Sequence, residues 1–129
     1  KRFINGQNLG KLTPAELNQL YHEADFGIAP SMTNFSLVPY EMMSAGLPLI
    51  DFKEGTGSYF LKDGTYFSCH LDERDLAKTL QTACEKPEII TQNIEKAQAY
   101  LKTISWERTE KDMLAIIASL YADVDVVKS

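Results

Sequence analysis

The residues whose types and spacing could do chemistry lie between Pro30 and Pro48. The stretch reads Pro-Ser-Met-Thr-Asn-Phe-Ser-Leu-Val-Pro-Tyr-Glu-Met-Met-Ser-Ala-Gly-Leu-Pro. A polar loop, Met32 to Phe35, leads into a predicted helix that opens at Ser36 and ends at Gly46. Ser36 has the side chain of a good N-cap. First-turn amides have no partner inside their own helix, so the N–H groups of Ser36, Leu37 and Val38 would offer partial positive charge to an anion. Pro39 has no N–H, a loss that costs little in a first turn. Glu41 follows about one turn further in. An ionised carboxylate only accepts hydrogen bonds, which suits a pair of neighbouring hydroxyls. Phosphate at the helix end and a diol at the carboxylate together describe a nucleotide. On spacing alone the plainer reading of Glu41, a solvated helix residue, comes first. Capping by Ser36 is compatible with the amide contact, since a cap takes only one N–H.

The elements around this stretch alternate short apolar runs with longer amphipathic ones, the pattern of a mostly parallel α/β sheet. Phe3-Ile4 reads as a strand end. Thr13, Pro14 and Glu16 form a capping-box signature, followed by Leu17, Leu20, Tyr21 and Ala24 at helical spacing. Phe26 to Ala29 reads as a strand buried on both faces, central in its sheet and parallel to the next strand, Pro48 to Phe52. Glu54 to Ser58 is a glycine-bearing loop, and Tyr59 with Phe60 is expected to plug its base. Thr65 to His70 reads as a further strand. Asp72 caps a helix to about Glu85 with Leu76, Leu80 and Ala83 inward. Pro87 starts another helix, to about Lys102. Ser105 caps the last, whose apolar face is Met113, Ile116, Ile117, Leu120 and Tyr121, with a frayed tail after Asp123. Trp106 is expected in the core. Asp25 and Asp51 read as turn or cap residues. Right-handed crossovers then give a Rossmann-like half-sheet of about four parallel strands with flanking helices and a C-terminal helical segment. Ligands of such sheets sit beyond the carboxyl ends of the strands. That selects the loops Pro30 to Phe35 and Lys53 to Ser58; whether Gly55 and Gly57 face a ligand or only make a turn stays open.

The whole chain narrows the function classes. Its 129 residues suit one domain, and 44% hydrophobic content suits a packed core. A net charge of −5 with no basic stripe argues against nucleic acid. No apolar run approaches a membrane span of roughly 18 residues. Cys69 and Cys84 suit a reducing compartment. No Cys/His/Asp cluster has metal-ligand spacing, and no G-x-S-x-G elbow points to a hydrolase.

From Leu12 to Tyr121 the chain resembles the retaining glycosyltransferases of the GT4-like group. The resemblance rests on Pro30-Ser31, Phe35, Leu37-Val38, Glu41-Met42-Met43, Ala45-Gly46 and Pro48. It continues in Leu12-Thr13-Pro14 with Glu16-Leu17 and Leu20-Tyr21 before them, and in Asp63-Gly64, Asp72, Leu76-Ala77, Leu80 and Trp106-Glu107 after them. It implies the nucleotide-sugar-binding part of the C-terminal domain of a two-domain GT-B enzyme, with residues 1–129 a single partial domain. It implies that Glu41 holds the ribose hydroxyls and that the amides of Ser36, Leu37 and Val38 meet the donor near its diphosphate. Asn34 and Phe35 lie in the same loop. Thr33, eight residues before Glu41, stands where the family has a glutamate against the transferred sugar. Tyr59 stands where the family often has another. The altered contact at Thr33 points to a donor with fewer hydroxyls, such as a deoxysugar like rhamnose.

The expectation is thus a sugar transferase that moves a hexosyl or deoxyhexosyl group from a nucleoside diphosphate sugar to a glycan or lipid-linked acceptor. Such a bacterial enzyme would work in polysaccharide biosynthesis, in the cytoplasm or peripherally at the inner face of the membrane. No metal or other cofactor is expected, because helix amides and upstream basic residues would neutralise the diphosphate. The acceptor domain and those basic residues are expected upstream of residue 1, so this chain alone should transfer no sugar. The rival is a non-catalytic α/β module that binds proteins or regulates, since fold does not settle function.

Overall fold

The computed structural model describes residues 5–127, with side chains through residue 121. Phe3-Ile4, the first expected strand end, lies outside the described residues. The element order is α1 (Pro14–Glu23), β1 (Gly27–Ile28), α2 (Val38–Ser44), β2 (Leu49–Phe52), α3 (Gly57–Phe60), β3 (Phe67–Cys69), α4 (Glu73–Glu85), α5 (Pro87–Leu101) and α6 (Trp106–Val127).

Both strand pairings are parallel, in the order β1-β2-β3, with Gly27 opposite Leu49 and Ile50 opposite Phe67. The α/β reading with a parallel sheet therefore holds. Three strands, against about four expected, occur among the described residues. The position of β1 differs from expectation. Among the described residues it pairs only with β2, at the edge of the described sheet, and Ile28 is 43% exposed. β2 is the middle strand, and all four of its residues are buried.

Successive side chains of a strand point to opposite faces, so β2 feeds two cores. Leu49 packs with Met43, Leu61 and Ala97, which places α2 and α5 on one face. Ile50 and Phe52 pack with Cys69, Leu76 and Leu80, which places α4 on the other. Helix boundaries follow local chemistry. Asp72 accepts hydrogen bonds from the amides of Arg74 and Asp75, both at 3.0 Å. Gly46 ends α2 in the left-handed region at φ +77°, which an L side chain adopts only with strain. At α1, Thr13 Oγ1 accepts from the Glu16 amide at 3.3 Å while Glu16 Oε2 accepts from the Thr13 amide at 2.8 Å. This capping box holds the Glu16 carboxyl below its ordinary range, chiefly through the Thr13 amide. Thr13→Ala is expected to cost about 1 kcal/mol. Urea denaturation checks this: the midpoint should fall with the slope unchanged.

α6 departs most from expectation. Ser105 Oγ accepts from the Arg108 amide at 3.2 Å, as a cap should, and the helix continues to Val127 rather than ending near Asp123. Its apolar residues are uncovered, however. Trp106, expected in the core, is 83% exposed, and Met113, Ile116, Ile117, Leu120 and Tyr121 are exposed as well. The sheet faces are occupied by α2 with α5 and by α4, and the stripe of α6 packs on neither of these two cores. No helix among the described residues is long and apolar enough to cross a membrane.

Candidate functional site

The site residues sit where β1 and β2 end. β1 ends at Ile28 and the chain leaves the sheet through Ala29-Pro30. Loop 31–36 then crosses over the sheet end and enters α2. β2 ends at Phe52, and loop 53–56 enters α3. The two loops are tied together: Thr56 donates to the Ser31 carbonyl through its amide at 2.7 Å and through its hydroxyl at 3.0 Å. The tie needs Gly55, because a Cβ there would stand 2.9 Å from the same carbonyl.

Glu41 is exposed in the first turn of α2 and lines a groove between α1 and α2, open to solvent and about 660 Å³ in volume. Leu12, Leu17 and Tyr21 form the α1 wall, and Leu37, Tyr40 and Glu41 the α2 wall. Asn18 and His22 on the α1 side and Ser44 beside Glu41 on the α2 side add polar groups, so the groove is mixed, with apolar patches and the Glu41 carboxylate. Burial pushes the Tyr21 phenol above its ordinary value, and the Glu41 carboxylate facing it pushes in the same direction.

The other sequence-derived candidates divide. Leu37 joins Glu41 in the groove, while Thr33, Asn34, Phe35, Ser36 and Val38 do not line it. Thr33 and Asn34 are exposed in the loop, where the Thr33 hydroxyl donates to Asn34 Oδ1 at 3.1 Å and Ser31 Oγ donates to the Asn34 carbonyl. Phe35 is a packing residue. Its ring stacks on Phe60 at 4.9 Å and meets Tyr40 edge-on at 5.1 Å. The Phe60 carbonyl accepts from Tyr40 Oη at 3.3 Å and from Tyr100 Oη at 3.0 Å. Burial and the neighbouring Tyr100 push the Tyr40 phenol up to about 12. Ser36 does not cap α2. The N-cap is Leu37, already in the right-handed helical region, and it makes no side-chain cap bond. A capping side chain works from an extended backbone just before the helix. Here the turn begins one residue later than the residue types suggest, leaving Ser36 outside it. Tyr59 does not plug the loop base either, being 86% exposed, and Phe60 is itself half exposed, with one face of its ring on Phe35.

Three features of the site were missed by sequence reasoning. The α1 wall read only as the inward stripe of an amphipathic helix. Asp51 read as a turn residue, yet it lies inside β2 and is 1% exposed. Burial raises its carboxyl above the ordinary value against the lowering effect of the Phe52 amide. At the end of β3, His70 Nδ1 meets Glu54 Oε1 at 2.7 Å and His70 Nε2 meets Lys53 Nζ at 3.4 Å. The Glu54 carboxyl is held below its ordinary range, first by the His70 contact. Among the described residues, no group of three His, Cys, Asp or Glu side chains could hold a metal ion.

Among solved structures, HepE of Anabaena in complex with UDP superposes with a TM-score of 0.63 at 22% identity, over 78% of this chain and 29% of that one. Sucrose-phosphate synthase from Thermosynechococcus elongatus gives a TM-score of 0.63 at 24% identity, over 89% of this chain and 30% of that one. At such identities the likeness shows a shared fold, the Rossmann-like one, and the chain spans about three tenths of either protein's length. No curated protein matches the sequence. The family model of glycosyl transferases group 1 matches residues 6–86, well over half the chain and the whole of the two loops and the groove. The chain belongs to the glycosyl transferases group 1 family.

Proposed function

We propose that this chain is the nucleotide-sugar-binding part of a two-domain GT-B enzyme. The parent transfers a hexosyl or deoxyhexosyl group from a nucleoside diphosphate sugar to a glycan or lipid-linked acceptor. The observation that carries this reading is Glu41 in the groove between α1 and α2, beside apolar side chains of both helices. A nucleoside has a flat, largely apolar face and a ribose diol. The groove offers Leu12, Leu17, Tyr21, Leu37 and Tyr40 for the first and the two-oxygen acceptor of Glu41 for the second, with Asn18, His22 and Ser44 as further polar contacts. The amides of Ser36, Leu37 and Val38 donate no hydrogen bond among the described residues and stand next to that carboxylate in sequence, where the diphosphate would follow the ribose. The UDP in the HepE structure supports a nucleoside diphosphate as the ligand class. No metal is needed at the diphosphate in this reading, because amides and basic residues outside this chain neutralise it. Thr33 in place of a carboxylate favours a deoxysugar donor. The uncovered stripe of α6 is the surface on which the acceptor domain rests, since an exposed apolar area of this kind marks an interaction site. The parent works in polysaccharide biosynthesis in a bacterial cytoplasm, at the membrane face where its acceptor is lipid-linked.

Isothermal titration of this chain with UDP, dTDP and GDP tests the reading. One of them should bind with a dissociation constant below about 1 mM. The chain alone should transfer no sugar from any nucleotide sugar, because catalysis needs donor and acceptor held in one geometry. Equal indifference to all three nucleotides would favour a protein-binding module instead, and measurable transfer would contradict the two-domain reading.

A further inference from the structure

Asp51 is a carboxylic acid in the middle strand of the sheet, with Ile50 and Phe52 on either side, and it is 1% exposed. Placing an acid there is costly unless it does something a hydrocarbon cannot. Two observations show what it does. The Lys53 amide donates to the Cys69 carbonyl of β3 at 2.9 Å, so the preceding amide, that of Phe52, points to the opposite side, toward β1. β1 ends at Ile28, and the chain turns away there to build loop 31–36. The Phe52 amide is thereby left without a strand partner, and Asp51 Oδ1 accepts from it at 2.8 Å. The second carboxyl oxygen lies against Gly57, where an added Cβ would stand 1.7 Å from Oδ2, and Oδ1 would be 3.6 Å from a Cβ at Gly55. One carboxyl group thus satisfies the amide that β1 abandons and braces the underside of the glycine loop.

We infer that Asp51 is a positioning residue that keeps the crevice between β1 and β2 open, by capping the Phe52 amide where the strands part and holding loop 55–57 against the Ser31 loop. Its part in donor binding rests on the function proposed above; its part in shaping the loop does not. Asp51 touches no ligand from its buried place and acts through the loop. Its raised proton affinity fits this role, since a neutral acid keeps an acceptor for the Phe52 amide at a lower desolvation cost than a carboxylate.

The test compares Asp51→Asn, which keeps an acceptor and the shape, with Asp51→Leu, which keeps the shape alone. Amide hydrogen exchange reads the loop without any nucleotide. In Asp51→Leu the Thr56 and Leu61 amides, which bond to Ser31 and Gly57, should exchange about ten times faster or more. The Gly27 and Lys53 amides, bonded to Pro48 and Cys69, should keep their protection. Asp51→Asn should restore the loop amides to the wild-type rate. Where the wild-type chain binds a nucleoside diphosphate, Asp51→Leu should weaken it about ten- to a hundredfold and Asp51→Asn by less than about twofold. Wild-type exchange at Thr56 in Asp51→Leu, or equal behaviour of the two variants, overturns the inference. If the sheet amides are lost too, Asp51→Val, smaller and suited to a strand, takes the place of Leu. Their loss in both variants also overturns it, because the carboxyl then supports the sheet and not the loop. A wild-type chain that binds no nucleotide overturns the proposed function, and the exchange rates still decide the role of Asp51.

Discussion

Gly57→Ala should destabilise the chain by about 1–3 kcal/mol, the cost of forcing extra volume into a packed site. Nothing in the Gly57 backbone demands glycine, since its φ is not in the left-handed region, where Gly10, Gly46 and Gly64 lie. The constraint is purely one of space. An alanine methyl would stand 1.7 Å from Asp51 Oδ2, and the carboxyl cannot swing away without releasing the Phe52 amide. Leu61 closes another side, with its Cδ1 at 3.3 Å from the same point. Gly10→Ala is the matched control. Its φ of +69° brings only backbone strain, and no atom lies within 4 Å of the added methyl. Denaturant melts give the size of each loss, and a second change at Asp51 separates crowding from backbone strain. The double variant Asp51→Ala/Gly57→Ala should lose less than the sum of the single losses, because the first change removes the atom that the second one meets. Additive losses would place the methyl somewhere other than against Asp51. In a chain that binds nucleotide, Gly57→Ala should also weaken the ligand, since α3 and the loop before it move together through the Thr56 tie to Ser31.

Which parts of this arrangement the sequence discloses follows from the range of the forces involved. The capping box at Thr13 and Glu16, the Asp72 cap and the Gly46 helix end are settled within four residues, and each appears where local spacing puts it. The two crevice loops are legible for a similar reason: an apolar run stopped by Pro30-Ser31 or by a glycine cluster marks a strand end in any parallel sheet. What lies across the sheet is not legible. A four-residue run such as Phe26 to Ala29 looks the same whether its faces are covered or open, so the exposure of Ile28 could not be read from it. Trp106 and the stripe of α6 have the periodicity of a buried face, and periodicity does not say what covers a face. Asp51 is hidden by its own chemistry. An acid beside a glycine loop has the composition of a turn, and only the parting of β1 from β2 turns it into an interior residue with a task. Ser36 shows the opposite error, a residue type that suits a cap on a backbone that begins its turn one residue later.

Glu41→Gln in the full-length enzyme should weaken donor binding by roughly 1.5–3 kcal/mol, the scale of a hydrogen bond to a charged group. That is about a ten- to hundredfold rise in the dissociation constant. The carboxylate offers two acceptor oxygens to a ribose diol, whereas an amide offers one oxygen and turns a donor toward the other hydroxyl. Glu41 has the freedom to make these contacts: it is exposed in the groove, with Tyr21 across from it and Leu37 one turn before. Leu37, the N-cap, stands four residues before Glu41, about one turn, and helical side chains tilt toward the N-terminus, which carries the carboxylate back toward the amides of Leu37 and Val38. The substitution should leave the fold untouched, because the residue is exposed and α2 keeps its backbone bond from the Glu41 amide to the Leu37 carbonyl at 3.0 Å. Thr33→Ala should cost less than Glu41→Gln. Its hydroxyl is already engaged by Asn34 Oδ1, and it lies outside the groove. Titration of both variants with the preferred nucleotide and with its sugar conjugate separates the two positions, since only the conjugate reaches beyond the diphosphate. Unchanged affinity in Glu41→Gln with binding abolished by Thr33→Ala would reverse the two roles. Indifference to both substitutions would make Glu41 a solvated helix residue and remove the nucleoside from this groove.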